Sequence, residues 1–366
     1  MNQKEIIFFH PHFSDGGVER TNIGLAKGCI KNGYKVVFLT TSFTNNFLEE
    51  IQALNIEFIS LGDKKISMTL LDIVKYLNDK SKKSNMIYFV SCQYYVNIIS
   101  MVASLFVKNR KNIRFINSER NHPNEFIVNG GLKNKFISIF IKFFYRYADL
   151  VIANSKETAD DLSKLINRDV KYVYNPTINQ RIDDLKDEFI IEEWYLNDER
   201  KCIIGIGRFS KQKDFETLIR AFHLFNSENQ YKLVILGDGE LRNDLEQLIN
   251  FLNIHNDVYL PGFVSNPYKF LKQSSLFILS SRYEGLPNVL IEALYLEVLS
   301  ISARCKSGPK EILKNNDLLV DVGDFEMMAK KIEYALNTRE AFFKTDFDLS
   351  RFKYEYVINN FIKVME

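Results

Sequence analysis

The chain has 366 residues, 46% hydrophobic, 13% aromatic and 26% charged, with a formal net charge of +2. That is the make-up of a globular protein with room for two domains, and it excludes disordered, fibrous and collagen-like chains. The small net charge hides an asymmetry: residues 1–180 hold 24 Lys+Arg and 16 Asp+Glu, a net of +8, which leaves 24 and 30 for the remainder, a net of −6.

Strands and helices alternate from the start. Apolar runs at 6–9, 35–39, 56–59, 86–90, 113–117, 149–153 and 170–174 are separated by helical patterns, among them 18–32, 67–80, 132–147 and 156–166. Such alternation predicts a doubly wound parallel sheet covered by helices on both faces. The Ile6–Phe9 run is too short for a signal peptide and reads as a strand. Residues 87–107 carry no charge, but Ser91, Gln93, Asn97, Ser100 and Ser104 interrupt them. They read as a buried strand and a buried helix rather than a membrane span. Asn175-Pro176 breaks the pattern, because a residue before proline leaves the helical region. A polar, charged linker over 179–200 follows, with room for one short helix. The pattern restarts at Cys202–Gly207, with further strands at 232–236, 257–260, 276–280, 298–302 and 317–320 and helices at 214–227, 239–252, 287–296 and 324–337. The last segment, 346–366, is helical and amphipathic. The expected domains are therefore 1–180 and 181–345, with 346–366 as a terminal helix. Cys29, Cys92, Cys202 and Cys305 lack metal-ligand spacing and any disulfide framework, which suits the cytosol.

Several loops at strand ends carry chemistry. Ser14-Asp15-Gly16-Gly17-Val18-Glu19-Arg20 joins the first strand to the first helix; adjacent glycines allow either a close approach of backbone N–H groups to an anion or a tight turn. Asn117-Ser118-Glu119-Arg120-Asn121-His122-Pro123 ends another strand, with His122, Arg120 and Glu119 as polar candidates. The helix at 132–147 is aromatic and basic; with Lys108, Arg110 and Lys111 it fits either an anionic membrane surface or a buried helix with a basic edge. At the head of the second half, Arg208 and Lys213 stand between a strand end and a helix start, where they are able to neutralise a diphosphate or form a solvated basic loop. Gly237-Asp238-Gly239 reads as a tight turn, since the full Gly-x-Gly-x-x-Gly fingerprint is absent. The most informative run is Ser281-Arg282-Tyr283-Glu284-Gly285-Leu286-Pro287-Asn288, which follows a strand and leads into an apolar helix carrying Glu292. It places Glu284 in a loop and Glu292 in the second helical turn. Both fall at the carboxyl end of a parallel strand, where open α/β sheets bind ligands. Two carboxylates beside a helix start that suits phosphate point to a ligand with hydroxyls and phosphates together.

Glu284 and Glu292, eight positions apart, together with the run between them, resemble the E-x7-E motif of the retaining glycosyltransferases of family 4. The resemblance covers nearly the whole chain and is strongest over about 202–313. It implies a GT-B fold, α/β, with two Rossmann-like doubly wound domains facing across a cleft and the terminal helix returning to the first. It also implies a metal-independent enzyme that moves a sugar from a nucleotide-sugar donor, UDP-hexose or UDP-N-acetylhexosamine, to a glycan or lipid-linked acceptor. Lipopolysaccharide or capsule synthesis in a bacterium is the expected setting. In such an enzyme Arg208 and Lys213 hold the donor diphosphate. Glu284 holds the sugar hydroxyls with Gly285, Leu286, Pro287 and Asn288 beside it, and Glu292 holds the ribose. Gly16 and Gly17 face the donor phosphates, Phe263 or Val264 lines the base pocket unless it belongs to the core, and Glu311 helps to position the region. His122 stands near the family's strand-end histidine, although Glu119 and Arg120 come first here. No metal or other cofactor and no nucleic acid is expected. A cytoplasmic position, peripheral on the inner face of the membrane, follows if 132–147 touches lipid. The rival reading is a non-catalytic nucleotide-sugar-binding partner of a glycan assembly complex; a glycosidase would leave Arg208 and Lys213 without a purpose.

Overall fold

A computed structural model describes residues 4–13, 16–43, 48–82, 86–121, 132–343 and 345–366. The chain divides into two compact units, Met1–Pro176 with Arg351–Glu366, and Thr177–Ser350.

In the first unit the chain runs β1 (Glu5–Phe13), α1 (Gly17–Lys31), β2 (Lys35–Phe43), α2 (Leu48–Ala53), β3 (Glu57–Ser60), α3 (Leu70–Ser81), β4 (Ile87–Cys92), α4 (Tyr94–Ser104), β5 (Ile113–Glu119), α5 (Leu132–Phe144), β6 (Leu150–Ala153), α6 (Lys156–Ile166) and β7 (Lys171–Tyr172). The strands form one parallel sheet in the order β3-β2-β1-β4-β5-β6-β7. Both faces are covered, so the central strands read as unbroken apolar runs: every residue of β4 is buried. Its core gathers Ile7, Phe9, Val37, Leu39, Phe89, Phe115, Tyr145 and Val151.

The second unit runs α7 (Gln180–Leu185), α8 (Glu193–Leu196), β8 (Lys201–Ile206), α9 (Phe215–Phe225), β9 (Tyr231–Leu236), α10 (Arg242–Phe251), β10 (Val258–Gly262), α11 (Tyr268–Lys272), β11 (Leu276–Leu279), α12 (Asn288–Tyr295), β12 (Ser300–Ala303), α13 (Pro309–Leu313), β13 (Leu319–Val320), α14 (Phe325–Asn337) and α15 (Arg339–Phe343). Its parallel sheet has the order β10-β9-β8-β11-β12-β13. The chain then rejoins the first unit as α16 (Tyr354–Met365). There α16 packs on α1 over Gly28, where an added Cβ would lie 2.5 Å from Ile358. Glu366 takes hydrogen bonds from Lys4 and Tyr34, each at 2.5 Å.

Two short helices stand in 179–200, where the sequence offers a linker with one, and α2, α11, α13 and α15 are too short for a periodic pattern to betray them. The uncharged stretch 87–107 divides into β4 and α4. Among the described residues no helix is long and apolar enough to cross a membrane.

Each sheet has one place where neighbouring strands are joined by connections that leave in opposite directions: between β1 and β4 in the first unit, and between β8 and β11 in the second. Such switch points open a crevice at the carboxyl ends of the strands.

Candidate functional site

At the switch point of the second unit, the loop after β8 meets the loop after β11. Lys213 Nζ lies 2.6 Å from Glu284 Oε1, although the two are 71 positions apart in sequence. Both are largely withdrawn from water, with side-chain exposures of 19% and 7%. Ser281 Oγ donates to the same carboxylate oxygen at 2.7 Å. The loops are stitched by Gln212 Nε2 donating to Tyr283 O at 3.0 Å, Arg282 N to Gln212 O at 2.8 Å, and Ser280 Oγ to Lys213 O at 2.7 Å. Asp214 turns the chain into α9 with φ 49°, a left-handed conformation that Asp tolerates better than most residues. Its buried carboxylate takes Thr217 Oγ1 at 2.9 Å and Arg282 at 3.0 Å. The sequence assigns no role to Ser281, Gln212 or Asp214. The only signal for them is their place within a few residues of Glu284 and Lys213.

The loop after β12 closes the other side. Tyr283 bridges to Lys306, and Ser307 Oγ donates to Gly285 O at 2.7 Å. Gly308, at φ 96°, lies so close to Pro287 that a Cβ would sit 2.3 Å from the proline Cδ. Ser307 and Gly308 thus clamp the backbone of Gly285–Pro287. Pro287 is the N-cap of α12 and offers no side-chain cap, so the first-turn amides have no side-chain partner from the cap. Glu292, in the second turn of α12, accepts from Tyr268 OH at 3.4 Å. Asn288 Oδ1 accepts from Thr177 Oγ1 at 3.1 Å. Glu311 stands in the first turn of α13.

Arg208 is placed differently from Lys213. Its side chain is 75% exposed and pairs with Glu240 at 3.3 Å. Gly237 and Gly239 allow this loop to pack: a Cβ on Gly237 would meet Gly207 O at 2.0 Å, and one on Gly239 would meet Phe209 O at 2.5 Å. The backbone bond from Phe209 N to Asp238 O, 2.8 Å, completes the contact. The glycines therefore serve the approach of two loops, rather than only the turn that the sequence suggests. Phe263, one residue past β10, is 59% exposed, which removes it from the core; Val264 beside it is half-buried.

At the first unit's switch point, Gly16 is the N-cap of α1 with φ −105°, an ordinary extended conformation. What demands glycine there is Glu19, whose Oε2 would lie 2.2 Å from an added Cβ. Glu19 is buried and stands at the third helical position, where a carboxylate folds back over its own helix start. His10 Nδ1 lies 3.9 Å from it. Gly17 opens the helix. At the end of β5, Glu119 and Arg120 point to opposite faces, as successive strand residues do. Glu119 is held by Asn97 Nδ2 at 2.7 Å and by the Tyr145 hydroxyl. Burial and this carboxylate push the Tyr145 hydroxyl well above its ordinary pKa. Arg120 donates to Asn175 Oδ1 at 3.1 Å and Asn22 Oδ1 at 3.4 Å. His122 lies outside the described residues. All four cysteines are buried, and none is in a disulfide. Burial pushes the Cys29 thiol up to about 12 and the Cys202 thiol up to about 11, which makes both poor nucleophiles. Among the described residues no three His, Cys, Asp or Glu side chains are grouped to hold a metal ion.

Residues 186–346 match the model of the glycosyl transferases group 1, and residues 15–179 that of glycosyltransferase family 4. An uncharacterized glycosyltransferase of Methanocaldococcus jannaschii is 41% identical over 60% of this chain and 55% of its own. The N-acetylgalactosamine-N,N'-diacetylbacillosaminyl-diphospho-undecaprenol 4-alpha-N-acetylgalactosaminyltransferase of Campylobacter jejuni is 34% identical over 56% of each chain. The chain thus spans about half the length of these two curated relatives. Anabaena HepE, solved in complex with UDP and glucose, shares the fold over 99% of both chains with a TM-score of 0.76 at 17% identity. The two family models together take in both units, and the chain belongs to the group 1, family 4 glycosyltransferases with the GT-B fold.

Proposed function

We propose that the protein is a retaining, metal-independent glycosyltransferase that moves a sugar from a UDP-sugar to a glycan or lipid-linked acceptor in bacterial surface polysaccharide synthesis. The observation that carries this reading is the Lys213–Glu284 pair, buried at the switch point of the second sheet and fixed by Ser281. A cation and a carboxylate held together at a strand end suit a ligand with a diphosphate on one side and sugar hydroxyls on the other. Lys213 takes the diphosphate as a compact charge and Glu284 accepts from the sugar hydroxyls. Arg208, exposed at the other end of the same loop as Lys213, exchanges Glu240 for the phosphates. Gly285, Leu286, Pro287 and Asn288 bring backbone groups to the same point, Glu292 receives the ribose, and Phe263 with Val264 flanks the base. Gly16 and Gly17 supply the first unit's anion-facing helix start. His122, or in its stead Arg120 or Glu119, borders the transferred sugar.

In the transfer step the bond between the anomeric carbon and the diphosphate oxygen breaks. The acceptor oxygen bonds to the same face of that carbon, and its proton passes to the departing phosphate oxygen. Lys213 and Arg208 stabilise the charge that grows on the diphosphate. The relative from Campylobacter is named for an undecaprenyl diphosphate-linked acceptor. That name supports a lipid-linked acceptor here, and with it a cytoplasmic, peripheral position at the membrane. The test is a panel of UDP-sugars offered with lipid-linked acceptors. The outcome expected is release of UDP with one donor, persistence of that release in a chelator, and a product of unchanged anomeric configuration by NMR. An inverted product or chelator-sensitive transfer contradicts the mechanism. Binding without transfer to any acceptor favours the non-catalytic partner.

A further inference from the structure

Helix α5 is apolar on two sides. One side is ordinary: Ile141 and Tyr145 are buried, and Ile137 and Phe144 pack against the core of the first unit. The other side faces solvent. Phe136, Ile139, Phe140 and Phe143, with Tyr147 in the turn that follows, are 40–62% exposed and recur at spacings of three and four. A helix that is apolar all round belongs in a core or against another apolar phase. This stripe exposes on the order of 500 Å² of apolar surface, at the upper end of what a monomer shows without a partner.

The charges around the stripe say what covers it. Among the described side chains of 136–148 the charged ones are Lys142 and Arg146, with no acid before Asp149. Lys142 and Arg146 are exposed one turn apart, and the Arg146 guanidinium lies over the Phe143 ring at 5.4 Å. The turn after α4 joins the same edge, because Arg110 donates to Tyr147 O at 3.3 Å and pairs with Asp149 at 2.7 Å. That turn exposes Leu105 and Phe106, with Lys108 and Lys111 close behind. A second copy of the chain fits poorly. The stripe falls short of the roughly 800 Å² per partner of a stable dimer, and a two-fold contact would set the same cations against each other. An anionic bilayer meets both features: acyl chains take the aromatic stripe, and anionic headgroups take the lysines and arginines along its margin.

We propose that the outer face of α5, with the turn at 105–111, docks the first unit on an anionic lipid surface. This deepens the peripheral position argued above and rests on that reading for its purpose, but the binding is measured without turnover. The experiment floats the full chain with vesicles of phosphatidylglycerol and phosphatidylcholine, and with vesicles of phosphatidylcholine alone. The expected result is binding to the mixed vesicles, weaker by about tenfold without the anionic lipid and weakened by salt. Ile139→Asp with Phe140→Asp abolishes it at unchanged melting temperature, and Lys142→Glu with Arg146→Glu removes only the preference for anionic lipid. Failure of the wild type to bind, or equal binding by the Asp variant, overturns the proposal. So does a dimer in light scattering that the Asp variant dissociates, which assigns the stripe to self-association. If vesicles bind but no UDP-sugar is turned over, the docking face stands and the transferase reading falls; the opposite pattern separates them the other way.

Discussion

Lys213 and Glu284 form a short, largely buried ion pair, and a pair of that kind resists the loss of one partner more than the loss of both. Glu284→Gln preserves shape and the bond from Ser281 but leaves the ammonium without its counter-charge. It is expected to lower stability by about 2 kcal/mol in urea unfolding and transfer by about a hundredfold. Lys213→Ala is expected to lower transfer to a similar degree. Arg208, exposed and paired at the surface, contributes little to stability; Arg208→Ala is expected to leave the melting temperature unchanged while weakening donor binding. At Gly16 the argument is steric. Gly16→Ala drives a methyl into the Glu19 carboxylate and is expected to cost about 1–2 kcal/mol. Glu19→Ala on top of it removes the clash, so the double-mutant cycle shows a coupling of that size; purely additive losses would refute the contact.

The ends of elements are held by polar side chains with partners both near and remote in sequence. Asp198, just after α8, accepts from Arg200 and Tyr259, and Arg200 reaches on to Asp257. Burial raises the Asp198 pKa, but the bonds from Arg200 and Tyr259 outweigh it and hold the carboxyl at about 2, below its ordinary 3.8. A carboxyl depressed in the folded state stabilises above its unfolded pKa and loses that contribution as pH falls. Stability therefore declines from about pH 4 to pH 2 through this group, and Asp198→Asn flattens that window in acid titrations. Gly28 governs the seating of α16. Gly28→Val meets the stiff Ile358 side chain and is expected to free the terminal helix, seen as early proteolysis within 351–366. Much of this level was legible in the sequence. Long apolar runs gave the central strands, and the run from Ser281 to Asn288 marked a strand end, a loop and a helix start. The short helices α8, α11 and α13 were not legible, because fewer than two turns give no period to read. Nor was the reason for Gly237 and Gly239, which depends on a loop 30 residues earlier.

For the molecule as a whole, the alternation of strands and helices foretold two parallel sheets, but nothing in a linear chain announces that β8 lies beside β11 or β1 beside β4. Strand order brings Lys213 to Glu284, and it was the resemblance of their loops to family 4 motifs that tied them to one ligand beforehand. It also gives each unit its own switch point. The basic character of residues 1–180 finds a concrete form in the exposed edge of α5, where aromatic residues and cations share one surface. The central claim is that the Lys213–Glu284 site drives sugar transfer. Its most direct test is UDP release from a UDP-sugar donor, with a lipid-linked acceptor present, by wild type, Glu284→Gln and Lys213→Ala side by side. The account predicts release by the wild type and a loss of about a hundredfold in each folded variant. Release by both variants at the wild-type rate would contradict it.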